Sequence, residues 1–208
     1  MREVWANRRA RNLLFLSLIG GVYSSLSVPY LPMLYRDLGM SVGRIPLLAS
    51  LASLASLASL ASLATITALF TQPLAVFLSK KKGILFSFVV GEFIYVASLV
   101  TLITAHQTWI VPILVIVRVL GRSISGLAEE IIELSALSGV DAAAFYGAIQ
   151  TAFLIGDSIG GAAGGLMVAA YGLRSPFYFT ISLVAVHVLG MTFNLRKRHA
   201  LDESSVAA

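Results

Sequence analysis

No cysteine occurs in the 208 residues, so neither a disulfide framework nor thiol chemistry is open to this chain. Charge is scarce too: Asp, Glu, Lys and Arg make up 12% of residues, against about 25% in soluble domains. No cluster of His, Cys and Asp has metal-ligand spacing, and neither a phosphate-binding loop nor a dinucleotide fingerprint occurs. These absences point away from an enzyme and from any bound cofactor or metal. What is abundant is hydrocarbon. Apolar residues reach 58%, more than a globule of this size has interior to hide.

The apolar residues fall into six stretches, 13–34, 45–79, 83–105, 110–127, 143–171 and 176–195. Each is near or beyond the roughly 20 residues that cross a bilayer as a helix. The pattern predicts an all-α membrane protein with six transmembrane helices over residues 13–195. A basic tail, 1–12, precedes them and a second tail, 196–208, follows. Arg8, Arg9 and Arg11 resemble the basic start of a signal peptide, but the apolar run behind them is too long and lacks a clear cleavage site. It reads as a retained first helix.

The net charge of +5 is placed for a membrane rather than for nucleic acid. Arg2, Arg8, Arg9, Arg11, Lys80, Lys81, Lys82, Arg196, Lys197 and Arg198 fall on one side of the six spans. Only Arg36, Arg44 and Arg174 fall on the other. This asymmetry predicts a multi-pass protein of the plasma membrane with both termini cytoplasmic.

The second span holds a Leu-Ala-Ser repeat over 48–65. A three-residue period advances 300° per unit, so its serines spiral around a helix and make no single polar face. A continuous helix over 45–79 would be about 52 Å long, against a hydrocarbon core of about 30 Å. Tilt, protrusion or a break near Gln72-Pro73 must absorb the excess. Gly20, Gly21, Pro29 and Pro32 predict a bend or loosening in the first span.

In the fifth span, Gly156, Gly160, Gly161, Gly164 and Gly165 fall on one half of a helix surface, together with Asp157. Small residues let membrane helices approach closely, so this half predicts a packing face with an acid in it. In the fourth span, Arg118, Arg122, Ser125, Glu129 and Glu133 form one stripe. It fits a cavity wall that attracts anions, or a structural ion-pair seam. Glu92 in the third span lies at a depth where it could pair with Arg118. Asp157 could carry a proton or make a packing hydrogen bond, and His187 reads as a packed, satisfied histidine. Ser123 or Ser125 with His187 gives the one nucleophile arrangement, an intramembrane serine protease, but its flanking Arg122 and Ile124 do not fit that type.

With these residues in place, the chain resembles the amino-terminal half of a major facilitator superfamily transporter of the drug/proton antiporter kind. Its fifth-helix pattern G-x-x-x-G-P-x-x-G-G is matched by Gly156, Gly160, Gly164 and Gly165, with Gly161 in place of proline. Gly172-Leu173-Arg174-Ser175-Pro176-Phe177 resembles the turn into the sixth helix. Arg118 fits the fourth-helix arginine and Gly126 a later small residue, whereas Arg122 stands where glycine is usual. Pro73, Leu74, Ala75, Leu78 and Gly83 fit the gating loop between helices two and three. There Val76 replaces a glycine and Lys80 the aspartate.

The resemblance implies that helices one and four line a substrate cavity while two and five meet an opposite half, with Asp157 at that junction. It implies proton-coupled efflux of a small molecule, with Asp157 responding to the proton and Arg118 orienting it or an anionic part of the substrate. Such transporters have twelve helices, so six imply either a shortened product or a parallel homodimer standing in for the missing half. The stretch Asp202-Glu203-Ser204-Ser205 resembles the start of the central loop. A non-transporting scaffold that recruits other helices through the glycine face is the alternative.

Overall fold

Asn7 starts the first helix by accepting hydrogen bonds from the backbone N–H groups of Arg9 and Ala10, 3.0 and 3.2 Å away. The computed structural model describes residues 7–41, 63–135 and 141–206, with side chains at 7–41, 73–135 and 141–194. The described residues are all-helical, with no strand among them. α1 (Arg8–Ser27) passes through a 3₁₀ turn (Val28–Tyr30) into the short α2 (Leu31–Asp37). Then come α3 (Leu63–Lys82), α4 (Ile84–Thr104), a 3₁₀ turn (Thr108–Ile110), α5 (Val111–Leu134), α6 (Ala142–Tyr171) and α7 (Ser175–Val206).

Five segments are long and apolar enough to cross a bilayer: Arg8–Asp37, Ile84–Thr104, Thr108–Leu134, Ala142–Tyr171 and Ser175–Asn194. The remaining expected span, 45–79, is described only from Leu63 onward, and the Leu-Ala-Ser repeat before that point lies outside the described residues. Phe15, Phe93 and Leu166 are 65%, 71% and 74% exposed on outward faces. Such a surface suits lipid and would aggregate in water. The chain is therefore built as a multi-pass helical protein.

Several boundaries differ from the sequence expectation. α1 begins at Arg8 and not at residue 13, because the Asn7 cap extends the helix into the basic segment. The backbone of α7 stays helical through Val206, so residues 196–206 continue the last helix instead of opening a loop. No break occurs near Gln72-Pro73, since α3 runs through Pro73 to Lys82. A proline forfeits one ladder hydrogen bond, which a membrane helix tolerates. The expected loosening of the first span is found at Pro29, where α1 gives way to the 3₁₀ turn.

Contacts set the direction of each helix. Leu18, Val22 and Leu26 of α1 meet Gly156, Gly160 and Gly164 of α6 in ascending order, so these two helices run parallel. Gly91 meets Ser125 while Tyr95 meets Gly121, so α4 and α5 are antiparallel. Leu16 packs on Gly190 and Tyr23 on His187, which makes α7 antiparallel to α1. One end of the bundle holds Arg9 bonded to Ser135. The other holds Thr108 bonded to the Leu38 carbonyl and Arg174 paired with Asp37 at 3.5 Å. Gly83, at φ 93°, is the single residue between α3 and α4; a side chain there would strain that backbone.

The glycine face is a helix seam. A Cβ at Gly156, Gly160 or Gly164 would run into the backbone carbonyls of Leu18, Val22 and Leu26, and Gly21 of α1 is held as tightly against Phe153. Of the five glycines expected on the packing face, two are not in the seam: Gly161 faces open space and Gly165 lies only against the Tyr30 hydroxyl, 3.2 Å from where its Cβ would be. The reason is curvature, because a partner helix touches a narrower strip than half a cylinder. A second close crossing, Gly91 on Gly121, joins α4 to α5.

Candidate functional site

Two apolar clusters fill the interior. One contains Leu34, Tyr95, Leu99, Val115 and Val184, and the other Leu13, Phe88, Ala128, Phe145 and Met191. Along α4, α5 and α7 the residues between the two clusters include Glu92, Arg122 and His187. Polar side chains thus form a layer across the middle of the bundle, with hydrocarbon above and below.

The layer is built around Tyr23 of α1, which is fully buried. Arg122 of α5 donates through Nη1 to the Tyr23 hydroxyl and, at 2.8 Å, to Glu92 Oε1 of α4. The same guanidinium lies over the Tyr23 ring, 5.1 Å from its centre. The Tyr23 hydroxyl has one hydrogen and two acceptors in reach, Glu92 Oε1 and His187 Nδ1, each at 3.5 Å. On the far side of the ring, His187 Nε2 lies 3.4 Å from Glu129 Oε1. His187 itself is fully buried, packed between Tyr23 and an edge-on Phe88. Glu92, Tyr23, His187 and Glu129 therefore form a row of polar side chains through four helices, clamped by one arginine; His187 Nε2, though close to Glu129, makes no hydrogen bond among the described residues.

Glu92 is 1% exposed and Arg122 is 32% exposed in their side chains, so the acid is sealed and the base reaches outward. Removing a carboxylate from water is expensive, and a paired guanidinium is what makes it tolerable. Glu92 Oε2 nevertheless meets no hydrogen-bond partner among the described residues.

The expected pairing of Glu92 with Arg118 is corrected to Arg122. The Gly91–Gly121 crossing sets the α4–α5 register and brings position 122 beside Glu92. Arg118 lies about one turn further along, where its Nη1 is buried without a hydrogen-bond partner among the described residues. Ser125 donates to the Arg122 carbonyl and is buried. Asp157 is outside the layer: it is half-buried in the α1–α6 seam and accepts a hydrogen bond from Ser25. Lys80 and Gly83 are exposed at the α3–α4 connection, and Pro73 is exposed within α3, ten residues before Gly83. Among the described residues no group of three His, Cys, Asp or Glu side chains could hold a metal ion.

Sequence reasoning missed Tyr23, because a tyrosine in an apolar span gives no pattern of its own. It also missed the Gly91–Gly121 crossing, whose two glycines lie in different spans.

No protein-family model, no curated protein and no solved structure matches this chain. The fold defines the class by itself: the described residues are all-helical, with several helices able to cross a membrane and a charged layer inside the bundle.

Proposed function

We propose that this protein is a membrane transporter of the major facilitator type that couples a proton to the efflux of a small molecule. The observation that carries this reading is the row Glu92–Tyr23–His187–Glu129. Ionisable groups inside a membrane domain are costly and mark ion or substrate pathways. Here carboxylates stand at both ends of a hydroxyl and an imidazole, groups that can accept a proton on one side and release it on the other. The fifth-helix glycine pattern and the turn at Gly172 support the same family. In this reading the buried layer carries the proton, Asp157 holds α1 to α6, and Arg118, with an unsatisfied buried nitrogen, meets an anionic part of the substrate. The protein resides in the plasma membrane with both termini cytoplasmic, in keeping with the basic residues gathered at one end.

The scaffold reading is weakened by the occupied seam, since Gly156, Gly160 and Gly164 are covered by α1 of the same chain. The protease reading is weakened by the partners of its two groups: Ser125 bonds a backbone carbonyl, and His187 faces Tyr23 and Glu129.

The test is flux in proteoliposomes loaded with a pH-sensitive dye, under an imposed pH gradient, with ethidium as the first of a panel of amphipathic ions. Proton movement coupled to probe movement is expected, and Glu92→Gln should abolish the coupling. A folded protein that moves no member of the panel, or a Glu92→Gln variant with unchanged coupling, overturns the reading.

A further inference from the structure

A groove of about 730 Å³ opens on the outside of the bundle between α1, α6 and α7. Its walls are mostly hydrocarbon, with Phe15 and Leu18 on one side, Ile155 on the second and Phe193 on the third. Phe15 and Phe193 are 65% and 64% exposed, so the groove lies open along its length. Arg11, Asn12 and Asn194 line it at one end, the end where α1 starts. Thr151, the other polar lining residue, is turned to its own helix and donates to the Gly147 carbonyl.

We infer that this groove binds an anionic phospholipid, one acyl chain lying along Phe15, Ile155 and Phe193 and the phosphate resting at Arg11. The walls match a hydrocarbon chain, and the polar residues sit only where a headgroup would be. The charge is complementary. No carboxylate lines the groove, and Arg11 forms no ion pair with a described residue. The positive end of the α1 dipole adds to its field. Arg8 lies one turn away on α1. Basic residues at a membrane surface attract anionic headgroups, and a guanidinium holds phosphate through a planar fork. A neutral headgroup would leave that charge unanswered.

The test is a lipid titration of the full chain in mild detergent, read by native mass spectrometry, with phosphatidylglycerol and phosphatidylcholine of identical acyl chains. Phosphatidylglycerol should be retained at least tenfold more strongly. Arg11→Gln should bring it down to the phosphatidylcholine level, whereas Arg36→Gln, at the opposite end, should leave it unchanged. Ile155→Trp, which fills the groove, should weaken both lipids. Equal retention of the two lipids, or full retention of phosphatidylglycerol by Arg11→Gln, overturns the assignment. So does a Phe193→Cys variant that cross-links to a second copy in phosphatidylglycerol liposomes, because that places a protein in the groove.

Discussion

The hydroxyl of Tyr23 stands 3.5 Å from Nδ1 of His187, joining side chains 164 positions apart in the chain. It stands equally far from Glu92 Oε1 and accepts from Arg122, so one oxygen ties α1, α4, α5 and α7 together. Removing it separates what the layer does for stability from the proton movement proposed for it.

Tyr23→Phe keeps the ring against His187 and Arg122 and deletes only the hydroxyl. The stability loss should be that of a net hydrogen bond, about 0.5–1.5 kcal/mol. Coupled proton flux should fall tenfold or more, equivalent to about 1.4 kcal/mol in barrier height. Thermal unfolding in detergent and dye-loaded proteoliposomes give the two numbers. A flux loss no larger than the stability loss predicts would leave Tyr23 a packing residue.

The Glu92–Arg122 pair makes an asymmetric prediction. Arg122→Leu strands a carboxylate that is 1% exposed and should cost about 3–5 kcal/mol. Replacing both residues by leucine removes the stranded charge and should recover most of that loss, while proton coupling stays absent. Denaturant titration of the two single variants and the double variant closes the cycle, and additive losses would contradict the pairing.

The glycine seam predicts a contrast within one turn of α6. Gly160→Ala pushes a methyl into the Val22 carbonyl and should cost about 1–3 kcal/mol by overpacking. Gly161→Ala meets open space and should be neutral, or stabilise by up to about 1 kcal/mol through helix propensity. Melting temperatures of the pair in the same detergent decide it. Equal effects at the two positions would mean that α1 does not lie on this strip.

Asp37 and Arg174 pair at 3.5 Å but are 53% and 44% exposed. Asp37→Asn should therefore shift stability by about 0–1 kcal/mol, and less in high salt. Unfolding curves at low and high ionic strength check this, and a larger change would place the pair in a less solvated setting.

The helices and the glycine seam were legible because each is a local pattern. Hydrocarbon run length marks a membrane helix, and Gly156, Gly160 and Gly164 recur every fourth residue. The fourth-span stripe likewise pointed Arg122 and Glu129 inward. Their partners were not legible, because Glu92–Arg122 depends on which turn of α4 crosses α5. That register is set by Gly91 and Gly121 in three dimensions and by nothing periodic in one span. Tyr23 and His187 are harder still, since each looks like an ordinary core residue until the other is placed beside it.

The parallel contact of α1 with α6 constrains how the chain is assembled. Ser17 finds its acceptor at the carbonyl of Ile149, 132 residues later. During synthesis, Ser17 and Ser25 of α1 must wait for their α6 acceptors, Ile149 and Asp157, until 132 further residues have been added. Until then the seam-facing serines lack those acceptors, and incomplete intermediates of this kind are the species that chaperones and proteases meet. A substitution along α6 that slows docking would lower yield in the cell well before it altered the finished protein.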